Sequence, residues 1–343
     1  MSHLMIQEIR EQPAALQATL QNEASNVQAL ADRVRQRNVD FAVIVARGSS
    51  DNAAKILKYL LEIMAGLPVA LAAPSVVTLY KGRLDLSNAL VIGISQSGQA
   101  PDVTEYLSVA RAGGALTASI TNDPSSPLAK AAESHLALHC GPELSVAATK
   151  TYTCTLALAF LLAKALSNDG AEAALIPDLA AKTLLLEPVI QPLVERYRYM
   201  RECAVLARGI NLGTADEVAL KLMETTYSPA KPFSIADFMH GPFALIEDAY
   251  PCLLLAPNGA ALQSMVDGAA KLKSGGAELI VAAANKDILS LARSPIPIDF
   301  QVDESLSPIV YAIIGQLFAY YLAVSRDLNP DQPRGLTKVT KTN

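Results

Sequence analysis

The sequence contains no tryptophan and few aromatic residues, and its charges nearly cancel. Aromatic side chains make up 5% of the chain, while Ala, Leu and Val dominate its apolar half. A net charge of -5 without a Lys/Arg run excludes the broad basic surface that nucleic-acid binding needs. Small aliphatic residues instead favour helices packed closely on buried parallel strands.

Metal-binding and membrane signals are also missing. The four cysteines are widely spaced, at Cys140, Cys154, Cys203 and Cys252. Without a Cys-x-x-Cys pair we expect no zinc site, and reduced, buried thiols are typical of the cytosol. His135 and His139 alternate along a predicted strand, so we interpret them as packing residues rather than metal ligands. We expect no metal and no organic cofactor.

No segment of the sequence predicts a membrane or secretory protein. The N-terminus lacks a basic stretch followed by an apolar core, so no secretory signal is expected. The longest apolar stretch, which we place around Leu156–Leu166, is too short to cross a bilayer and contains Lys164. We therefore expect a cytoplasmic protein without a membrane partner.

Short apolar runs alternate with helical patterns. The runs that predict strands cover residues 41–46, 69–73, 89–94, 115–121 and 135–139. The patterns that predict helices cover residues 4–36, interrupted only by Pro13, then 52–64, 102–112 and 147–166. Such alternation predicts a parallel sheet covered by helices on both faces, a Rossmann-like or flavodoxin-like three-layer α/β/α fold.

The sequence repeats itself. Val43–Gly48 matches Ala204–Gly209, and Arg111–Leu116 matches Lys273–Leu279 at nearly the same offset. A length of 343 residues suits two domains. We therefore predict a duplicated α/β domain. The predicted parts are an N-terminal helical segment (1–36), a first domain (37–168), a helical connector (169–200), a second domain (201–328) and a tail or lid (329–343).

A serine-rich loop follows the predicted strand at 89–94 and precedes a helix. Its residues Ser95, Gln96 and Ser97 offer side-chain donors, and Gly98 lets the backbone approach a ligand. A helix N-terminus adds unpaired N–H groups and partial positive charge, which suits a phosphate. An ordinary capped turn has the same composition. The corresponding loop of the second half, Pro257–Gly259, lacks the serines, which favours a phosphate site in the first half alone.

With these residues in hand, the chain resembles the sugar isomerase (SIS) superfamily. It is similar to the isomerase half of glutamine:fructose-6-phosphate amidotransferases and, more closely, to the SIS-type glucosamine-6-phosphate deaminases. The resemblance runs from Glu8–Pro13 to the tail, and it implies two tandem SIS domains. Its motifs are Arg47–Ser50 (RGSS), Ser95–Gly98 (SQSG), Gly141–Lys150 (GPELSVAATK), Glu217–Glu224 (EVALKLME), His240–Pro242 (HGP) and Asp331–Lys338 (DQPRGLTK).

The resemblance implies roles for individual residues. Glu224 would move a proton between C1 and C2 of the sugar, with Lys221 beside it. His240 would open the sugar ring in the site of a neighbouring subunit, which implies a homodimer. Lys338 would meet the carbonyl carbon. The residues implied to hold the phosphate and line the sugar pocket are Gly48, Ser49, Ser50, Ser95, Gln96, Ser97, Val146 and Ala147.

The chain also departs from the family pattern. Ala100 and Ala148 replace a Thr and a Ser, and Met223 and Met239 replace lysines common in the amidotransferase. Ser2 stands where the amidotransferase has its cysteine nucleophile, and the chain has no room for the glutaminase domain. We therefore expect a deaminase that converts glucosamine 6-phosphate to fructose 6-phosphate and ammonia. The alternatives are the same chemistry on galactosamine 6-phosphate or a sugar–amine adduct, and a phosphosugar sensor without activity.

Overall fold

A computed structural model describes residues 3–167 and 172–338 of the chain. Residues 168–171, where the predicted first domain meets the connector, lie outside the described residues, as do residues 339–343 of the predicted tail. The chain divides into two compact units. The N-terminal unit is formed by Gln12–Glu143, Lys150–Ile176 and Leu336–Asn343. The C-terminal unit is formed by Met1–Glu11, Leu144–Thr149 and Pro177–Gly335.

The N-terminal unit is built on a parallel sheet of five strands. Its strands are β1 (Phe41–Val45), β2 (Val69–Leu71), β3 (Ala89–Ile94), β4 (Leu116–Thr121) and β5 (Ser134–Ala137). Its helices are α2 (Gln12–Gln36), α3 (Ser49–Met64), α4 (Pro74–Thr78), α5 (Pro101–Ala112), α6 (Pro127–Ala131) and α7 (Lys150–Ser167). The strand order is β2-β1-β3-β4-β5. Helices α2 and α3 pack on α7, while α4 and α6 pack on α5, so helices cover the sheet in two groups.

The C-terminal unit contains a second parallel sheet of five strands. Its strands are β6 (Cys203–Ala207), β7 (Ala230–Ser234), β8 (Pro251–Ala256), β9 (Glu278–Ala283) and β10 (Ser294–Pro297). Its helices are α1 (Leu4–Arg10), α8 (Ile176–Leu184), α9 (Glu187–Leu193), α10 (Leu212–Thr226), α11 (Ile235–Phe238), α12 (Leu262–Ser274), α13 (Lys286–Leu291) and α14 (Ser307–Ser325). Short 3-10 turns cover 194–197, 209–211 and 242–245 in this unit, and another covers 173–175 in the N-terminal unit.

The two sheets share one topology. The second sheet, ordered β7-β6-β8-β9-β10, repeats the order β2-β1-β3-β4-β5 strand for strand. The starts of β1 and β6, of β3 and β8, and of β4 and β9 are separated by the same number of residues. The predicted duplication and the three-layer α/β/α fold are therefore confirmed.

The N-terminal helical segment differs from the prediction of one helix broken at Pro13. It forms two helices that separate at Glu11, before Pro13, and α1 and α2 belong to different units. A proline is tolerated in the first turn of a helix, so Pro13 allows α2 to begin at Gln12 rather than breaking it.

The most apolar helix is α14, and the expectation that the longest apolar stretch lies at 156–166 is wrong. By length and composition alone α14 could cross a membrane, but 94% of its apolar window is buried inside the structure. It packs against α1, α9 and α10 of the same unit. Burial on all sides is typical of the central helix of a folded core.

Candidate active site

The two serine loops lie side by side in the N-terminal unit. Strands β1 and β3 are parallel neighbours, and Val45 pairs with Gly93 near their carboxyl ends. The loops that leave these ends begin at Arg47 and at Ser95. The chain runs outward from β1 to β2 on one side and from β3 to β4 on the other, so this is the point where the strand order reverses. Open α/β sheets bind ligands at this position.

The loop Ser95–Gly98 lies between strand β3 and helix α5, as the sequence predicted. The N–H of Gly98 donates to the Ser95 carbonyl at 3.1 Å and to Ser95 Oγ at 3.2 Å, while Ser97 Oγ accepts from the N–H of Gln99 at 3.3 Å. Gly98 has φ 63°, and a Cβ at this position would overlap the Ser126 side chain. Glycine is therefore required here by both its backbone and its surroundings. Ser95, Gln96 and Ser97 are half-buried and remain accessible to a ligand.

The first serine loop begins helix α3. Gly48 precedes the helix with φ 56°, and Ser49 and Ser50 form its half-buried first turn. The N–H groups of Asp51 and Asn52 donate to the Gly48 carbonyl at 2.9 and 3.1 Å. The hydroxyls of Ser49 and Ser50 therefore lie at the positive end of a helix of 16 residues.

An ion pair joins the two loops. Arg47 Nε lies 2.7 Å from Asp102 Oδ2, in the first turn of α5. The Asp102 side chain is 3% exposed, whereas that of Arg47 is 53% exposed. The guanidinium neutralises a carboxylate that would otherwise repel an anion in this corner. Sequence analysis gave no role to either residue.

The corresponding corner of the C-terminal unit is occupied by one of its own carboxylates. Glu304 Oε2 accepts a hydrogen bond from the N–H of Ala260 at 2.9 Å. A Cβ on Gly259 would overlap the Glu304 side chain. The contrast with the serine loop of the first half is therefore larger than the sequence indicated, because the second corner already holds an anion.

Helix α10 carries a buried cation between two carboxylates. Lys221 Nζ lies 2.5 Å from Glu224 Oε2 and 3.3 Å from Glu217 Oε1. The Lys221 and Glu217 side chains are each 1% exposed, and that of Glu224 is 20% exposed. The surface ion pair that a Lys-x-x-Glu pattern usually forms is thus excluded. Sequence analysis missed Glu217, although its i,i+4 spacing from Lys221 was a signal.

The surroundings keep Lys221 charged. Burial by itself lowers the pKa of this ammonium, but the carboxylates of Glu217 and Glu224 outweigh it and hold the pKa above its ordinary value. Lys221 is therefore a permanent cation beside Glu224. In this arrangement the Lys221 ammonium fixes one oxygen of the Glu224 carboxylate, and the Glu224 side chain remains partly exposed to solvent.

Close helix packing fixes the position of α10. Val218 lies against Gly315 of α14, where a Cβ would overlap the valine side chain. At its C-terminal end Tyr227 adopts a left-handed conformation with φ 59°. Its ring lies under the Arg334 guanidinium at 3.9 Å, and its hydroxyl accepts from the Arg334 N–H at 3.0 Å. Arg334 of the tail motif thus contacts the residue that ends α10.

The segment with Val146 and Ala147 belongs to the C-terminal unit. The Val146 N–H donates to the Asp331 carbonyl at 3.2 Å. The Glu8 carboxylate accepts from the N–H groups of Leu144 and Ser145. Two residues far away in the sequence therefore fix this backbone, and sequence analysis gave Glu8 no role.

His240 lies on a different element from Lys221 and Glu224. It is exposed in the turn after α11, where its N–H donates to the Asp237 carbonyl at 3.0 Å. Gly241 follows with φ 155°, and Pro242 begins a 3-10 turn. An exposed imidazole on a short turn is accessible to another molecule.

Lys338 is attached to the N-terminal unit. Its Nζ lies 2.6 Å from Glu143 Oε2, and the Glu143 side chain is fully buried. Lys338 therefore makes a specific contact with a buried residue. Its role in a lid and its reaction with a carbonyl stay predictions. Sequence analysis quoted Glu143 within a motif but assigned it no function.

The histidines at 135 and 139 do not share a strand. His139 follows β5 with φ 51°, is exposed, and places Nε2 2.6 Å from Oε1 of the buried Glu23, so its interpretation as a packing residue is wrong. His135 lies on β5 with Nδ1 3.0 Å from Ser119 Oγ. Across residues 3–167 and 172–338, no group of three or more His, Cys, Asp or Glu side chains is arranged to hold a metal ion.

Comparison with known proteins identifies the family. The sequence profile described as "SIS domain" matches residues 37–165 and 200–326. The chain belongs to the SIS domain family. It is 34% identical to glutamine–fructose-6-phosphate aminotransferase [isomerizing] of Thermococcus kodakarensis KOD1, over 98% of this chain and 57% of that protein. The chain thus spans little more than half the length of this relative.

Two solved structures match nearly the whole chain. A protein of Silicibacter pomeroyi DSS-3, provisionally assigned as a phosphosugar isomerase, is 32% identical with a TM-score of 0.87, over 96% of this chain and 100% of that one. Glucosamine-6-phosphate deaminase of Thermotoga maritima has a TM-score of 0.81 at 21% identity, over 99% of this chain and 100% of that one. At that identity the second likeness shows the fold alone.

Proposed function

We propose that the chain converts glucosamine 6-phosphate and water to fructose 6-phosphate and ammonia. The observation that carries the proposal is the hydroxyl-lined corner between β1 and β3, where two serine loops meet two helix N-termini. Such a corner is suited to a phosphate dianion. The counterpart corner in the C-terminal unit already holds the Glu304 carboxylate, which favours one phosphate site in each chain.

The chemistry assigned to α10 is proton transfer. Glu224 would act as a base that takes the C2 proton of the open-chain sugar and returns it to C1, while one proton passes from the 2-amine to O1. The 2-amine thereby becomes a 2-imine, and the C1 aldehyde becomes an alcohol. Lys221 would orient the Glu224 carboxylate for this transfer, because its ammonium contacts Glu224 Oε2 at 2.5 Å. Water then adds to the imine carbon, and ammonia leaves. His240 would open the sugar ring before this step.

The surroundings of the two proposed catalytic elements differ from those of the amidotransferase. Met223 and Met239 occupy positions that are commonly lysine in that enzyme, which argues against the same substrate. Met223 is 40% exposed and Met239 is partly buried. The four cysteines are buried without a disulfide, which fits the reducing cytoplasm that we propose for the reaction.

The experiment that tests the proposal compares two double variants. Ser95→Ala/Ser97→Ala removes hydroxyls of the corner, whereas Ser87→Ala/Ser108→Ala removes two exposed hydroxyls of the same unit. Phosphosugar affinity is measured by calorimetry, and ammonia and ketose release by coupled assays. We expect the first variant to lose at least about tenfold in affinity and the second to match the wild type. Equal affinity in both would refute the phosphate site.

A substrate panel separates the related activities. It contains glucosamine 6-phosphate, galactosamine 6-phosphate, a sugar–amine adduct and fructose 6-phosphate. Release of ammonia from another substrate would refute the specific reaction, and binding without turnover would identify a sensor.

We also propose that His240 serves the site of a partner subunit in a homodimer. The test mixes two inactive variants, Glu224→Gln and His240→Ala. If the histidine acts across the interface, hybrid dimers contain one complete site, and randomly mixed protein should recover about a quarter of wild-type activity. No recovery in verified hybrids would place His240 in the site of its own chain.

A further inference from the structure

Glu143 is a buried carboxylate held at the start of a helix. It accepts hydrogen bonds from the N–H of Thr151 at 3.0 Å and from Thr151 Oγ1 at 2.7 Å, in the first turn of α7. Its side chain has no exposed surface. Negative charge is favoured at a helix N-terminus, so these contacts fix the carboxylate whether or not a cation is nearby. Glu143 is therefore the stationary member of its ion pair.

Lys338 is the member of the pair that can move. Its side chain is 23% exposed, and its Nζ reaches Glu143 Oε2 at 2.6 Å from a point 195 residues further along the chain. Leu336, just before it, is 44% exposed, so apolar burial contributes little to holding this part of the tail. Its hydrogen bond to the buried Glu143 carboxylate is charge-assisted, and such bonds are about twice as strong as neutral ones.

We infer that Glu143 is a positioning residue that anchors Lys338, the last residue of the chain that the structure describes. The inference rests on the proposed function, in which Lys338 meets the substrate carbonyl. Glu143 does not touch the reacting atoms in this scheme. Thr151 orients the Glu143 carboxylate, and an oxygen of that carboxylate binds the Lys338 ammonium. Glu143 therefore fixes the position of the ammonium.

The first test measures the anchor without any substrate. Trypsin cleaves after Lys338 only when that side chain leaves its partner and enters the protease. Glu143→Gln keeps an oxygen that can accept from Thr151 but removes the negative charge. We expect cleavage after Lys338, followed by intact mass, to become about tenfold faster or more. Glu133→Gln is the matched control, because it breaks a different ion pair of the same unit, with Arg33, and should leave this cleavage rate unchanged.

A second variant separates anchoring from helix capping. Thr151→Val removes the hydroxyl bond to Glu143 but leaves the carboxylate and its backbone hydrogen bond. We expect a lower melting temperature with a cleavage rate within about twofold of the wild type. If Thr151→Val accelerated cleavage as much as Glu143→Gln, the effect would arise from the helix start, and the anchoring role would be refuted.

The third test uses turnover. We expect Glu143→Gln to lower kcat toward the value of Lys338→Met, with KM changed less than about threefold, and Glu143→Asp to restore part of kcat. The double variant should be no slower than Lys338→Met alone, because both changes remove one interaction. Additive losses would contradict the inference.

The outcomes distinguish this inference from the proposed function. Unchanged proteolysis in Glu143→Gln overturns the anchor, whatever the enzyme does. Faster proteolysis together with no turnover of any phosphosugar by the wild type supports the anchor and rejects the reaction.

Discussion

Replacing Lys221 with methionine would leave two carboxylates of α10 without their shared cation. At an effective dielectric constant of about 20, the separation of 3.3 Å between Lys221 and Glu217 corresponds to an attraction of about 5 kcal/mol. Removing one partner of a buried pair costs about 3–5 kcal/mol, because the other charge stays buried without compensation. Glu224 is 20% exposed, so water screens the attraction between its carboxylate and Lys221. We therefore expect a loss of about 3–5 kcal/mol in the free energy of unfolding.

Thermal unfolding followed by circular dichroism measures this loss. For a unit of this size, each kcal/mol lowers Tm by about 2–4 °C, so the expected drop is about 10 °C. The control is Lys182→Met on α8, which breaks an exposed i,i+4 pair with Asp178 in the same unit. Exposed pairs of this kind contribute about 0.5 kcal/mol or less, so the control should barely change Tm.

The pH dependence has a defined sign. The pKa of Lys221 is raised in the folded state, so its stabilisation is complete below the ordinary lysine pKa of about 10.4 and is lost only as pH rises through the higher folded value. The stability from this ammonium should therefore be constant between pH 6 and 9. Lys221→Met should regain stability as pH falls from 8 to 5, because a buried carboxyl without a cation can take up a proton.

A second substitution tests the reasoning directly. Adding Glu217→Gln to Lys221→Met removes the uncompensated charge and should restore more than half of the lost stability. A loss below about 1 kcal/mol in Lys221→Met, or no recovery in the double variant, would refute the claim that the cation compensates a buried carboxylate.

Three further predictions concern loops. Gly98→Ala should destabilise the protein by about 2–3 kcal/mol in urea unfolding, because the new Cβ is strained at a positive φ and also overlaps Ser126. Gly48→Ala has only the strain of a positive φ and should cost about 1 kcal/mol, so equal losses would contradict this reasoning. Arg47→Ala should cost about 1–2 kcal/mol and weaken phosphosugar binding in calorimetry, because Asp102 loses its cation; unchanged affinity would argue against an anion near it. Glu8→Gln should accelerate amide hydrogen exchange at residues 144–145 about tenfold, and unchanged exchange would show that other contacts hold that segment.

Much of the fold could be predicted from local sequence patterns. Strand β3 lies at residues 89–94 as predicted, because six consecutive apolar or small residues between polar turns are typical of a buried strand. The neighbouring positions of Lys221 and Glu224 followed from helical spacing, whereas the positive φ of Gly98 appeared only in the structure. The duplication was visible because both halves kept the same separation between strands.

Several long-range contacts left no such pattern. Four contacts join residues that are far apart in the chain. They are Glu23 with His139, Glu143 with Lys338, Arg47 with Asp102, and Glu8 with the backbone of Leu144 and Ser145. Periodicity reports only on neighbours within a few residues, so it cannot pair charges across a fold. The separation of α1 from α2 into different units also depends on long-range packing.

The sequence by itself determined two parallel sheets, their duplication, and a hydroxyl-rich loop at the carboxyl end of β3, because these depend on local spacing and residue type. Tertiary structure decided which carboxylate meets which cation. It buried Lys221 together with Glu217, gave Lys338 to Glu143, and filled the second corner with Glu304. The physical reason is that a buried charge requires a partner, and the identity of that partner is fixed only when the chain is folded.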